Sequence, residues 1–167
     1  QIQGFFTIPG DVLTAFHTEV DYLNSIRHQM YQPVVVTADL GFAKKGRNFA
    51  AGIHAPMAFI EKRRLGNDAK AEALTIIGDV YDRDVLLVDD EIDTGGTMVQ
   101  AVELLKEHGV RDIYISFVHP VFSANAAQRL SALPVKQFIT TDTVPIPPEK
   151  RALFGDRLVI LSVSSLL

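Results

Sequence analysis

Val85-Leu86-Leu87-Val88-Asp89-Asp90-Glu91-Ile92-Asp93-Thr94-Gly95-Gly96-Thr97 is the stretch on which the reading of the fold turns. Four apolar residues in a row, bounded at once by acids and lacking polar alternation, read as a strand covered on both faces. The acids leave the core and the glycines permit a tight turn. Met98, Val99, Val102 and Leu105 then recur at helical spacing, and Gly109 stands where a helix C-terminus would put it, so residues 95–108 are predicted to be helical. A buried strand that passes through a glycine turn into a helix is the joint from which α/β sheets are built.

Outward from that joint the same kind of run returns at residues 34–37, 55–60, 112–118, 135–140 and 158–163. Residues 11–30 carry Leu13, Phe16, Val20, Leu23 and Ile26 at spacings of three and four and are predicted to be mostly helical. The alternation implies an α/β, doubly wound domain with a largely parallel central sheet, whose ligands sit beyond the carboxyl ends of the strands. Residues 64–71, with Gly66-Asn67-Asp68, and 144–150, with three prolines, are the expected long loops. Neither has the look of a linker, and 167 residues suit one domain.

Composition narrows the function classes. A net charge of −4 argues against a nucleic-acid or membrane-surface binder. The lack of cysteine excludes disulfides and thiolate metal sites and fits a reducing, cytoplasmic setting. No apolar run approaches the roughly 18 residues of a membrane span. The expectation is a soluble protein with neither nucleic acid nor membrane as partner. Gln1-Ile2-Gln3-Gly4-Phe5-Phe6 reads like the middle of a longer chain, so a fragment is expected.

The chemistry lies in the same joint. Glycines let backbone N–H groups approach a ligand, and a helix N-terminus adds unpaired donors and a partial positive charge. Residues 93–97 therefore form an anion cradle, with the hydroxyls of Thr94 and Thr97 as further donors. Asp89 and Asp90 would repel phosphate but accept hydrogen bonds from neighbouring hydroxyls. Phosphate at one end and a diol at the other describe a sugar phosphate. The plainer alternative is an acidic surface turn with Thr94 capping the helix. The pattern is neither a Walker A loop nor a GxGxxG fingerprint.

The stretch resembles the ribose-phosphate-binding motif of type I phosphoribosyltransferase folds and, among them, of ribose-phosphate pyrophosphokinases. Further segments carry that resemblance: Gln1-Ile2-Gln3-Gly4-Phe5-Phe6 with Ile8-Pro9, Glu61-Lys62-Arg63-Arg64, Ile77-Gly78-Asp79-Val80, Thr140-Thr141-Asp142-Thr143-Val144-Pro145 and Leu161-Ser162-Val163. It spans essentially the whole chain and corresponds to the C-terminal half of such an enzyme, with residues 1–10 as the interdomain segment.

The resemblance implies transfer of diphosphate from ATP to the C1 hydroxyl of ribose 5-phosphate, giving phosphoribosyl pyrophosphate and AMP. By that implication Asp93, Thr94, Gly95, Gly96 and Thr97 hold the 5-phosphate and Asp89 and Asp90 the ribose hydroxyls. Lys62 and Arg64, on a mobile loop, stabilise the transferring diphosphate. Mg²⁺ is the implied cofactor and a homo-oligomer, hexamer or dimer, the implied assembly of the intact enzyme. Thr37-Ala38-Asp39-Leu40-Gly41-Phe42-Ala43-Lys44-Lys45, a second basic cluster flanking the site, is similar to the family's Asp-x-Gly-Gly-x-Lys segment, with Phe42 in place of the second glycine, and would make Asp39 a metal ligand.

Plainer readings stand beside these: Asp39 as a helix cap and residues 62–64 as a solvated cluster. A nucleobase phosphoribosyltransferase, or a non-catalytic synthetase-associated regulatory protein, is the alternative function. His17, His28, His54, His108 and His119 have no metal-site spacing. His108 is expected at a helix C-terminus, and His119 at a strand end, beside the sugar-phosphate pocket or merely satisfied there. Phe5 and Phe6 are read as packing residues.

Overall fold

The alternation inside each buried strand sets the two layers of the molecule. The computed structural model describes residue 7 and residues 12–39, 41–64 and 72–166. Its seven strands are β1 (Val34–Thr37), β2 (Met57–Arg64), β3 (Glu72–Ile77), β4 (Val85–Glu91), β5 (Ile113–His119), β6 (Gln137–Thr141) and β7 (Leu158–Leu161). They form one sheet in the order β3-β2-β1-β4-β5-β6-β7, parallel except for the β2/β3 pair. Val34, Val36, Val85, Leu87, Ile113 and Ile115 point to one face, while Val35, Leu86, Val88, Tyr114 and Ile139 point to the other. Both faces are buried, so the runs read as continuously apolar rather than alternating.

Helices α1 (Phe16–Ile26) and α2 (Ala43–Gly52) cover the second face; α3 (Gly96–Glu107), α4 (Ala126–Ser131) and α5 (Pro148–Phe154) cover the first. In α3 the buried residues Met98, Ala101, Val102 and Leu105 form the stripe laid on the sheet. Phe117, Phe122, Phe138 and Phe154 make an aromatic cluster between sheet and helices on that face, with ring centroids 4.9–5.7 Å apart. At the amino end of the sheet buried Asp84 accepts from the backbone N–H groups of Tyr31 (2.9 Å) and Asp112 (3.2 Å), tying the segments that enter β1 and β5. Its carboxylate is consumed by structure.

The predicted runs at 34–37, 85–88, 112–118, 135–140 and 158–163 are strands to within a few residues, and residues 95–108 contain α3. Three expectations need correction. The run at 55–60 continues as strand to Arg64, because Glu61, Lys62, Arg63 and Arg64 pair with Thr75, Leu74, Ala73 and Glu72. Residues 61–64 are therefore part of a ribbon and not of a loop. The strand β3 was not expected at all. The expected loop at 144–150 stops at Pro147, and α5 starts on Pro148, a residue whose fixed φ and missing N–H suit a first helical position. Residues 1–6 and 8–10 of the expected interdomain segment, Phe5 and Phe6 included, and residues 65–71 lie outside the described residues.

Candidate functional site

Strand order decides where a ligand can enter. From β1 the chain goes to β2 on one side, while β4, β5, β6 and β7 follow one another on the other side, so the winding reverses between β1 and β4. The segments leaving the carboxyl ends of those two strands face one crevice. Asp39 lies two residues past the end of β1, and Asp89, Asp90 and Glu91 are the last residues of β4.

The loop from β4 into α3 is held open by its neighbours. Ile92 donates its N–H to the His119 carbonyl, Phe122 donates to the Ile92 carbonyl and Ser123 to the Asp93 carbonyl, each at 3.0 Å. The Ser123 hydroxyl donates to Asp93 Oδ1, and the Arg129 guanidinium to the Thr94 carbonyl. Gly95 then turns with φ +74°, in the left-handed region, and a Cβ there would stand 3.3 Å from Leu130 Cδ1. No side chain caps α3, and its first intrahelical bond runs from Val99 N–H to the Gly95 carbonyl at 3.0 Å. The helix N-terminus, with its positive end, thus opens onto a hollow of about 160 Å³ bounded by Asp89 and residues 91–98. A hollow of that size suits a single anionic group rather than a large ligand.

Five of the residues expected at the phosphate, Asp93, Thr94, Gly95, Gly96 and Thr97, are brought together here along with Asp89. Thr94 is exposed and makes no cap; Asp93 is engaged by Ser123 and so shapes the loop.

The acid pair is divided by its surroundings. Asp89 is pushed up to about 7, first by burial and further by the charges of Asp90 and Asp39, although its Oδ1 accepts the Asp90 N–H at 2.9 Å. Asp90 is held below the ordinary carboxylate range: burial opposes this, but Lys45 Nζ, 3.1 Å from Oδ2, outweighs it by hydrogen bond and charge. Asp39 accepts the Phe42 N–H on Oδ1 at 2.9 Å and so closes the turn ahead of α2, whose own N-terminus has no side-chain cap. Its second oxygen takes no part in that turn. Phe42, which stands in place of the motif's second glycine, is buried in the α1/α2 core.

Hard carboxylate oxygens that raise one another's affinity for protons are the donor chemistry Mg²⁺ takes. Among the described residues no group of three or more His, Asp or Glu side chains is close enough to hold a metal by itself. A bound Mg²⁺ would therefore take few protein oxygens and the rest from substrate and water.

Lys62 stands on a different element than expected. Phe59 pairs with Thr37, the last residue of β1, and Lys62 stands three residues farther along β2. At about 3.3 Å per residue its backbone is roughly 10 Å past the carboxyl end of β1, on the ribbon with β3. Its side chain is exposed, and Arg64 is placed by its backbone at the end of β2. His119 lines a second hollow with Thr143, its Nδ1 2.9 Å from Thr143 Oγ1, and not the anion loop; His108 sits at the C-terminus of α3 with Nδ1 2.8 Å from the Leu104 carbonyl. Lys45 belongs to the basic segment expected to flank the site, though its pairing with Asp90 was not foreseen; Ser123 and Arg129 were missed, since they lie 30 and 35 residues from their partners and give no local signal.

A doubly wound sheet with an uncapped, glycine-opened helix at its reversal point defines a phosphoribosyltransferase-fold domain. In agreement, adenine phosphoribosyl transferase from Trypanosoma brucei superposes with a TM-score of 0.53 over 75% of this chain and 62% of its own, at 21% identity, a likeness of fold alone. The phosphoribosylpyrophosphate synthetase from Mycobacterium smegmatis is much nearer, with a TM-score of 0.87 and 36% identity over 99% of this chain and 52% of its own. The ribose-phosphate pyrophosphokinase of a Nostoc species is 44% identical over 168 aligned positions, covering 100% of this chain and 49% of that protein. The family model described as phosphoribosyl synthetase-associated domain matches residues 66–167, and the chain belongs to that family. It spans about half the length of the curated relatives it matches.

Proposed function

We propose that this chain is the ribose-5-phosphate-binding half of a ribose-phosphate diphosphokinase. The observation that carries the reading is the uncapped start of α3 opening onto the hollow beside Asp89. In the proposed reaction the C1 hydroxyl oxygen of ribose 5-phosphate attacks the β-phosphorus of ATP. The bridging bond to the α-phosphate breaks, AMP leaves with that bond's electrons, and the hydroxyl proton is lost. Such a transfer asks the protein chiefly for alignment and charge neutralisation.

Backbone N–H groups of Gly96 and Thr97, with the Thr94 and Thr97 hydroxyls, hold the 5-phosphate. Asp89 and Asp90 accept the ribose hydroxyls, and Lys45 keeps Asp90 ionised and oriented. Lys62 and Arg64, carried on β2, stabilise the transferring diphosphate. Mg²⁺, held by Asp39 with Asp89 or Asp90, would supply neutralisation of phosphate charge. A homo-oligomer, ATP as donor and a cytoplasmic location belong to the same proposal; no helix among the described residues is long and apolar enough to cross a membrane.

Gly96 gives a clean test, because a Cβ there meets nothing closer than Thr94 Oγ1 at 4.0 Å. Gly96→Arg is expected to keep the melting temperature within a few degrees and to abolish calorimetric binding of ribose 5-phosphate. Undiminished affinity in that variant would overturn the assignment of the loop.

A further inference from the structure

On the α1/α2 side of the sheet, away from the anion loop, lies a cavity of about 340 Å³. Its wall includes the rings of Phe16, Phe42 and Phe49, and its polar members include Glu19, Lys45 and Asp90. Phe16 and Phe49 meet edge to face at 5.0 Å, and Lys45 Nζ lies 5.0 Å from the Phe42 ring centroid. Lys45 and Asp90 are half or more exposed, whereas Glu19 is fully buried, so the ion pair marks the mouth and the acid the depth.

Glu19 is out of place on α1, whose other buried residues, Val20, Leu23 and Ile26, are apolar. Its Oε1 accepts the Ser116 hydroxyl at 2.8 Å, while Oε2 has no partner and is closed off from solvent. Burial pushes the carboxyl up to about 7. A buried acid with one oxygen unfilled is worse for stability than the leucine that would fit the same stripe. The Ser116 contact accounts for half of the group and leaves the other half waiting for a donor. Thr37 Oγ1 and Tyr114 OH are also buried without partners, but of the three residues Glu19 is the one in the cavity wall.

We propose that this cavity is a second binding site, taking a flat aromatic ring that carries an amine or amidine, with the ring among Phe16, Phe42 and Phe49 and an N–H donated to Glu19 Oε2 as the Glu19 side chain turns from the wall toward the occupant. The volume is in the range of small-molecule pockets, and an apolar wall with a few convergent polar groups is their usual make-up. The unfilled acceptor selects a donor. Ring contacts and a carboxylate together favour an amino or amidinium group over a carboxylate-bearing ring, which Glu19 and Asp90 would repel. Lys45 is engaged by Asp90 and leaves no strong attraction for an anion. Asp90 also belongs to the acid pair at the end of β4, so the occupant sits beside the sugar-phosphate crevice, yet its binding does not depend on the diphosphokinase reading.

The test is calorimetric titration of the 167-residue chain with benzamidine and with adenine, which separate the amidine and aminoheterocycle forms of the ligand, and with benzoate as the mismatched ring. At least one of the first two is expected to bind, and benzoate about tenfold more weakly or not at all. Glu19→Leu keeps the apolar stripe and is expected to fold with an equal or higher melting temperature while losing about tenfold or more in affinity. Asn48→Trp, on the exposed rim, should block entry to the same extent without touching the core. Binding should persist in saturating ribose 5-phosphate. Failure of both amine-bearing rings to bind, binding by either variant as tight as by the parent, or full competition by ribose 5-phosphate would each overturn the proposal.

Discussion

Gly95 and Gly96 stand side by side and are glycine for different reasons. Gly95 turns through φ +74°, a conformation in which a Cβ costs roughly 1–2 kcal/mol, and that Cβ would also press on Leu130. Gly96 is in open space, and its side chain would obstruct only what approaches from outside. Gly95→Ala is therefore expected to lose about 1–2 kcal/mol in urea denaturation, with Gly96→Ala within about 0.5 kcal/mol of the parent. Equal losses would mean that the loop's demand for glycine is not conformational. Glu19 allows a second prediction at this scale. Its folded pKa, pushed by burial from the ordinary 4.5 to about 7, makes the native state bind the extra proton, so its contribution is most favourable below about pH 4.5 and is lost as pH rises through 7. Against Glu19→Gln, the parent should thus lose ground between pH 5 and pH 8 in denaturation experiments; a difference independent of pH would show that the carboxyl titrates normally.

At the scale of elements, legibility followed burial. The central strands β1, β4 and β5 were readable because both faces are covered and nearly every residue is apolar. The strand β3 escaped because it lies at the sheet edge: Leu74 and Ile76 are half-buried and Thr75 and Ile77 exposed, but the exposed Ile77 is apolar, so the residue types do not show the alternation that the burial does. Helix α2 escaped for the opposite reason: its inner face is built from Gly46, Phe49 and Ala50, and a Cβ on Gly46 would fall 2.3 Å from Thr37 Cγ2. Close approach to β1 demands the very residue that propensity counts against a helix. The missed β3 changes how Lys62 works, since a lysine on a paired ribbon is positioned by backbone hydrogen bonds rather than by a free loop. If Lys62 acts on the transferring diphosphate, Lys62→Ala should leave ribose 5-phosphate affinity of the chain within about twofold and lower turnover of a full-length diphosphokinase carrying this half on the order of 100-fold. Equal loss of affinity and turnover would assign Lys62 to ground-state binding instead.

For the whole molecule, the acid-to-glycine joint marks the candidate site, but the forces that shape it come from afar. Ser123 and Arg129 fix the loop from the far side of β5, and Lys45 splits the acid pair from α2, contacts that no window of sequence displays. The described crevice offers an uncapped helix end, suited to phosphate, and carboxylates, suited to hydroxyls, and both are groups for an acceptor. Diphosphoryl transfer also needs the donor aligned, and a displacement of about 1 Å costs on the order of 10²-fold in rate. The relatives named for this reaction are about twice as long as this chain. Acceptor binding and turnover should therefore separate. The 167-residue chain is expected to bind ribose 5-phosphate within about tenfold of the full-length Nostoc relative, because the whole acceptor cradle lies between Asp89 and Met98. Its release of AMP from ATP and ribose 5-phosphate, at matched protein concentration and with Mg²⁺, should fall below that relative's by on the order of 10²-fold or more. Turnover comparable to the full-length relative would place the donor-aligning groups within these residues, and failure to bind ribose 5-phosphate would remove the acceptor site that the rest of the reading stands on.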